Sequence, residues 1–447
     1  MKKLENPPKI NPVTSKIMNG DIFEIKNNNV ELIHSPMRKA KFISGVLVLS
    51  GNKTYGKFKN KYFYRCIPDD KRLPEFLIPY KVKIKFRKNQ DNKYVVFKFS
   101  SWRKKHPVGI LINTIGNVSE IASFYEYQMY CNSLYASIAN LNAKTNQMLK
   151  LHDVDFYTNK IMSKNTIQDR RDWEIVTIDS LASKDLDDAL GFKHINEEET
   201  IMSIYISNIV FWMDILDLWE SFADRIATIY LPDRKRPMMP TKLSDDICSL
   251  LEGKPRFAFT LDIKINRKTG KIISYSYCNS FIIVNKNLRH KTEELENSFI
   301  YNELVQISNK MNKKKIYLDS VVNSHEVVSY FMVLMNYLTA LKMKEHSAGI
   351  YRFTKSNKNY KAPDNAPVKI KKFLKIWHSM GGQYCKFENV AEHEMLNLEA
   401  YLHITSPNRR LVDLLNMVVY QDLFDIVKFT DKSKTFYDKW YTNDSIE

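Results

Sequence analysis

Residues Ile178 to Ala189 read IDSLASKDLDDA and hold four aspartates, Asp179, Asp185, Asp187 and Asp188. No other stretch restricts the chain as much. Carboxylates this close repel one another, and each raises its neighbours' pKa unless a cation offsets the charge. A bound divalent ion reverses that penalty. An all-oxygen donor set at short spacing suits magnesium, with manganese as the alternative. The backbone has to comply. Glu174-Ile175-Val176-Thr177-Ile178 is β-branched and reads as a short buried strand, with Asp179 at its C-terminal end. Ser180 to Lys184 then turn the chain, and Asp185 and Asp187 alternate about Leu186 as on an extended segment. No single helix face carries all four, so a loop must gather them around a point. The alternative is an acidic loop left in solvent, the usual fate of a charge run.

The chain has 447 residues, enough for two or three domains, and its 44% apolar content supports a real core. Its formal charge is +18, with a pI near 9.3. That excess favours a polyanionic partner, nucleic acid above all, over a merely basic composition. Cys66, Cys131, Cys248, Cys278 and Cys385 are scattered and form no C-x2-C pair, which argues against structural zinc and suits a reducing compartment. The N-terminus MKKLENPPKINPVTSK has no apolar signal core, and no apolar run nears the ~20 residues a bilayer span needs. A soluble intracellular protein with no membrane partner is expected.

Between residues 40 and 101, strand-like segments occupy 41–49, 61–66, 80–86 and 94–99, separated by turns such as Gly51-Asn52-Lys53. Short basic strands with interleaved aromatics suggest a small barrel of the OB kind, whose rings either stack on bases or fill the core. Residues 117–150 suggest a helix. Apolar spacing predicts further helices at 214–229, 291–310, 326–344 and 408–428.

The order I-D, a short turn, then K-D-x-D-D-A resembles the signature of the ribonuclease II (RNB) family of 3′→5′ exoribonucleases. YLPDRKRPMMPTKLSDDICSLLEGKPRFAF (Tyr230 to Phe259) is similar to that family's Y-L-x5-P-M-L-P segment and the L-S-x2-L-C-S-L that follows it. YLHITSPNRRLVDLL (Tyr401 to Leu415) resembles its Y-x-H-x-T-S-P-I-R-R-Y-x-D-L segment. The three motifs occur in family order. Ahead of them, IPDDKRLPEFLIP (Ile67 to Pro79) and the W-to-P-x-G element from Trp102 to Gly109 resemble the second cold-shock domain and following joint of the eukaryotic exosome-nuclease branch. MNGDIFEI (Met18 to Ile25) is similar to the last strand of a first cold-shock domain.

The resemblance implies an α+β protein. Residues 1–35 would be a flexible start and a remnant first cold-shock domain, 36–110 an OB-type barrel, 111–170 a connector and 171–447 an RNB-type catalytic domain. It implies hydrolysis of single-stranded RNA from the 3′ end to nucleoside 5′-monophosphates. Two magnesium ions roughly 4 Å apart can neutralise the phosphate, activate water and help the leaving oxygen. Asp179, Asp185, Asp187 and Asp188 would be the metal ligands, with Asp187 the residue whose loss most affects turnover. Arg409 would contact the scissile phosphate, and Pro407 would start a helix that sets Arg409 at its positive end. Its other reading is an ordinary basic helix start. Tyr230 would clamp the 3′-terminal base or else lie in the core. Arg256, Lys242 and Arg352 would line the RNA path with Arg410, for which a structural role stays open, and His403 reads as a packed residue. A small-molecule cofactor is not implied. An RNA-decay complex is an implied partner.

The chain departs from the family in places. The family's V-H-I-A-D-V strand reads Ile204-Tyr205-Ile206-Ser207-Asn208-Ile209, Asn408 stands before Arg409, and Ser180 follows Asp179. Against the family the chain is also short at both ends, which predicts weaker, salt-sensitive RNA binding. Two other readings remain at this stage: a catalytically silent RNA-binding scaffold, and a nuclease for another substrate such as DNA.

Overall fold

The computed structural model describes residues 10–26, 29–82, 90–314, 320–355, 363–377, 381–442 and 446. It divides into two compact units, Met1–Ala136 with Leu231–Arg234, and Ser137–Tyr230 with Lys235–Glu447.

In the first unit, β1 (Ile22–Lys26) and β2 (Asn29–His34) form an antiparallel hairpin. A six-stranded sheet follows: β3 (Ile43–Leu47), β4 (Lys57–Phe58), β5 (Lys61–Pro68), β6 (Phe76–Tyr80), β7 (Lys93–Ser101) and β8 (Val108–Asn117). Its order is β3-β7-β8-β6-β5-β4, and an extra β3–β5 pairing closes it into a barrel. The closure is tight at Gly45, where a Cβ would sit 2.8 Å from the Ile67 carbonyl oxygen. Leu47, Phe76, Ile78, Val95 and Phe97 fill the interior. The OB-type reading therefore holds. Of the strand expected over 80–86, Tyr80 is the last residue of β6, residues 81 and 82 are not in a strand, and 83–86 lie outside the described residues. The barrel runs to Asn117, past the expected boundary at 110. The single helix expected over 117–150 is two helices, Ile121–Cys131 in this unit and Ala139–Leu151 in the next.

The second unit is built on a seven-stranded mixed sheet. Its strands are β9 (Gln168–Arg170), β10 (Ile175–Asp179), β11 (Asp188–His194), β12 (Glu199–Ser207), β15 (Pro255–Asn266), β16 (Ile272–Ile283) and β17 (Lys286–Arg289). Between β12 and β15 lies a small hairpin of β13 (Ile229–Tyr230) and β14 (Lys235–Arg236). The sheet order is β17-β10-β11-β12-β15-β16-β9, with β17 parallel to β10 and β9 parallel to β16. Alternation along β12 sorts its two faces. Ile204 and Ile206 join the large core that also takes Phe331 and Leu334 of helix Ser324–Glu345 and Met417 of helix Leu411–Leu423. Tyr205 belongs to a separate buried cluster with Ile175, Leu186, Ala189 and Ala258.

The helix at 324–345 matches its periodicity. The helix expected over 214–229 is instead Ile209–Ile215, because Asp217 takes a left-handed φ of 54° and the chain leaves the helical path. That over 291–310 splits into Glu293–Glu296 and Phe299–Met311, with Ser298 capping the second. The seven-stranded sheet also begins before residue 171, since β9 is one of its strands.

Candidate active site

The β10 strand delivers Asp179 to its C-terminal end, beside Arg289 of β17 in parallel register. The chain then turns, with Ser183 N donating to the Ser180 carbonyl. Leu186 is buried and pins the middle of the segment. The Ser249 hydroxyl donates to the Lys184 carbonyl at 2.7 Å and accepts from Leu186 N at 3.1 Å, and Leu250 N donates to the Leu186 carbonyl. The Cys248-Ser249-Leu250 segment thus clamps the aspartate loop from both sides. Asp187 accepts from Ser207 N through its carbonyl, and Asp188 opens β11 opposite Ile206. The loop and the start of β11 set the four carboxylates close enough to feel one another's charge.

Arg409 enters from far along the chain. Its Nε donates to Asp187 Oδ2 at 2.7 Å and its NH2 to Ser406 Oγ at 3.0 Å. The expected helix start is not at Pro407: the helix begins at Leu411, and Arg409 sits in the turn before it. That turn is held by Thr228 N donating to the Arg409 carbonyl and Leu411 N to the Ile226 carbonyl. The same short pairing brings in Tyr230, whose hydroxyl donates to Asp185 Oδ2 at 2.7 Å. Tyr230 is 56% exposed, which removes the core reading.

Electrostatics mark the site. Burial raises the Asp179 carboxyl to about 6, against the pull of Thr177, Arg289 and Arg409. Burial likewise raises Asp187 to about 6, opposed by Arg409. Burial, then Asp179 and Asp187, raise Asp188 to about 8. Asp179 Oδ2 and Asp187 Oδ1 are buried without a hydrogen-bond partner. Buried carboxylate oxygens in that condition fit a hard cation. Among the described residues no three carboxylates converge as a closed metal shell. Asp185 and Asp187 turn instead to Tyr230, Lys235 and Arg409.

Other expected residues have different tasks. Arg256 donates to the carbonyls of Ser249, Pro255 and Asp246, so it braces the clamp segment rather than an RNA path. Arg410 donates to Asp413, a fully buried carboxylate that also accepts from Ser406 N. Its structural reading is the one the geometry favours. Lys242 pairs with Asp246. His403 is packed between Arg352 and Tyr384, and burial with the nearby guanidiniums holds it down to about 2, so it stays neutral. Asn208 lies in a buried amide cluster with Asn279 and Gln421. Ser249, Asp413 and Lys235 were missed. All three stand inside the matched segments, but Ser249 and Asp413 fall on motif positions, which was the available signal, while Lys235 falls in the variable x5 run and had none.

An RNB domain model matches residues 167–293 and 284–425. A second model, the Dis3-like cold-shock domain 2, matches 63–126. The chain belongs to the RNB domain family. It is 31% identical to Ribonuclease R of Ureaplasma parvum over 206 residues, 46% of this chain and 27% of that protein. It is 26% identical to DIS3-like exonuclease 2 of Schizosaccharomyces pombe over 263 residues, 54% of this chain and 27% of that one. The matched segments thus span about a quarter of these relatives. Mycoplasma genitalium RNase R, solved with ribose-methylated single-stranded RNA, superposes with a TM-score of 0.73 at 17% identity, over 97% of this chain and 78% of that one. Yeast Ssd1, described as a pseudonuclease, superposes at 0.63 and 14% identity, over 92% of this chain and 60% of that one.

Proposed function

We propose that the protein is a 3′→5′ exoribonuclease that hydrolyses single-stranded RNA to nucleoside 5′-monophosphates with magnesium, manganese serving in its place. One observation carries the reading. In a chain of the RNB family, buried carboxylates with unpartnered oxygens surround an arginine, with an exposed tyrosine ring at their edge. Asp179, Asp185, Asp187 and Asp188 are the residues that would hold the ions. Bound divalent ions would neutralise the scissile phosphate and lower the pKa of the attacking water. Arg409 stays charged beside Asp187, and its side chain keeps 41% of its surface open to solvent. A planar guanidinium there suits a phosphate whose charge grows in the transition state. The Tyr230 ring stacks on a terminal base of any sequence. The net charge of +18 and the single-stranded RNA on the related RNase R support the substrate.

A second reading, an RNA binder without turnover, draws on the engagement of Asp185 and Asp187 by cationic side chains. The experiment is incubation with 5′-labelled oligo-RNA and oligo-DNA, with and without magnesium. Shortening of RNA only when magnesium is present is expected. Tight RNA binding with no shortening would establish the second reading, and equal loss of DNA would change the substrate.

A further inference from the structure

We infer that Lys235 is a resident cation of the carboxylate cluster, holding the Asp185 side so that the site takes one divalent ion per chain rather than two. This rests on the metal reading proposed above. The β13–β14 hairpin pairs Tyr230 with Lys235, so two side chains reach Asp185 from one ladder rung. The Tyr230 hydroxyl binds Oδ2 at 2.7 Å, and Lys235 Nζ lies 3.2 Å from Oδ1. Each Asp185 oxygen therefore already has a donor, one of them an ammonium. Lys235 cannot swing away freely, because Nζ also donates to Asp245 Oδ1 at 2.8 Å. Asp245 is itself fixed by the Ser244 hydroxyl at 2.6 Å and by its place in the turn Leu243–Ile247. The three side chains are 19%, 9% and 17% exposed, so solvent screens this network far less than a surface pair.

The opposite side of the cluster differs. Asp179 Oδ2 and Asp187 Oδ1 are buried and have no donor. Unfilled acceptor capacity lies with Asp179 and Asp187, while Asp185 already faces an ammonium. A divalent ion sharing Asp185 with Lys235 would meet a like charge within a few ångströms, in a site of low effective dielectric. Lys235 is a positioning residue here: it sets where the cation charge sits and does so without a metal.

The test is Mn2+ titration of the full chain, followed by electron paramagnetic resonance of the free ion and by calorimetry. Wild type is expected to bind one ion. Lys235→Met, of similar length without charge, should bind two, the second at least about tenfold tighter than any second site of wild type. Lys235→Gln should give the same count, so the result does not hang on one variant's folding. Asp245→Asn keeps the ammonium and should stay at one. Two ions on wild type, one ion on both Lys235 variants, or a second ion gained by Asp245→Asn would each overturn the inference while leaving the metal reading standing. No saturable Mn2+ on wild type would overturn both.

Discussion

In the barrel, aromatic and basic residues divide between inside and outside. Phe76, Phe97 and Tyr64 fill the interior, while Phe58 and Tyr62 stand half exposed among Lys57, Lys59 and Lys61. In the second unit the division fails. Asp187, Asp413 and Arg170 are buried, each tied to a partner from distant sequence or a neighbouring turn. Surface charges contribute little to stability, so the barrel's stability is packing and its lysines are free to serve binding. Buried charges are costly without partners. In the second unit the same side chains therefore carry the architecture and the proposed chemistry, and a substitution there reports on both at once.

The largest expected effect separates the two. Asp187→Asn should lower RNA hydrolysis at least about a hundredfold, since a carboxylate in the charge-stabilising set is lost. The near-isosteric amide should leave the fold intact. Single-turnover rates and thermal melts measure the two; hydrolysis at the wild-type rate would remove Asp187 from the chemistry. Arg409→Ala comes next. It should cost about 10²–10³ in turnover, far more than in RNA affinity, because a phosphate clamp acts on developing charge. Equal losses in rate and binding would reduce Arg409 to a binding residue.

A pH series tests the buried charge directly. The carboxyls of Asp179, Asp187 and Asp188 are raised to about 6, 6 and 8. In the unfolded chain they would ionise near the ordinary value of ~4. The folded state thus holds protons that the unfolded state has lost. Their stabilising contribution is complete below pH ~4 and is lost as pH rises through 6 to 8. Metal-free protein should therefore melt progressively lower between pH 5 and 8.5, and magnesium or manganese should offset that fall by replacing the protons. Ion affinity should weaken as pH drops over the same range. A metal-free melting temperature that rose with pH would contradict the raised values.

Legibility followed the same divide. The β-branched run before Asp179, the turn after it and the helix at 324–345 were readable because local pattern decides them. That extended backbone and not a helix carries the four aspartates followed from the impossibility of any one helix face. What was not readable is pairing across long separation. Arg409 finds Asp187 from 222 positions away, and Lys235 meets Asp185 only because a two-residue ladder sets it opposite Tyr230. The task of Arg256, and the choice between the two readings of Arg410, were unreadable for the same reason: a basic residue's partner is a property of the fold, and theirs are carbonyls and a buried carboxylate. The segment after Ile215 kept helical spacing with only a single 3-10 turn at Trp219–Ser221, since a left-handed Asp217 turns it toward the pairing of Ala227 with Arg410.

Tyr230 lies between the two behaviours, exposed like a barrel aromatic yet bonded into the carboxylate cluster. Tyr230→Ala should weaken RNA binding by about 1–3 kcal/mol, the worth of one stacked base, and should lengthen the limit product. Tyr230→Phe keeps the ring and removes the bond to Asp185, so it should keep the product length. If the two variants behaved alike, the hydroxyl and not the ring would be the working part.

The smallest effect belongs to the barrel. The β4–β5 hairpin sets Phe58 at 50% and Tyr62 at 47% exposure, opposite Lys61 and Lys57 respectively. Rings that contribute little to the interior, each with an ammonium across the ladder, make a stacking surface for bases and phosphates. Replacing both by alanine should reduce RNA affinity a few-fold, steepen nothing in the melting curve and leave the cleavage rate of bound RNA unchanged. Phe97→Ala is the control from the inside of the same barrel, and it should cost about 3–5 kcal/mol of stability. Binding titrations at two salt concentrations complete the test, because phosphate contacts by the lysines weaken with salt while stacking responds less. If the double variant destabilised the barrel as Phe97→Ala does, the inside–outside division would be wrong. If it bound RNA as wild type does, the barrel's exposed rings would have no part in holding the strand.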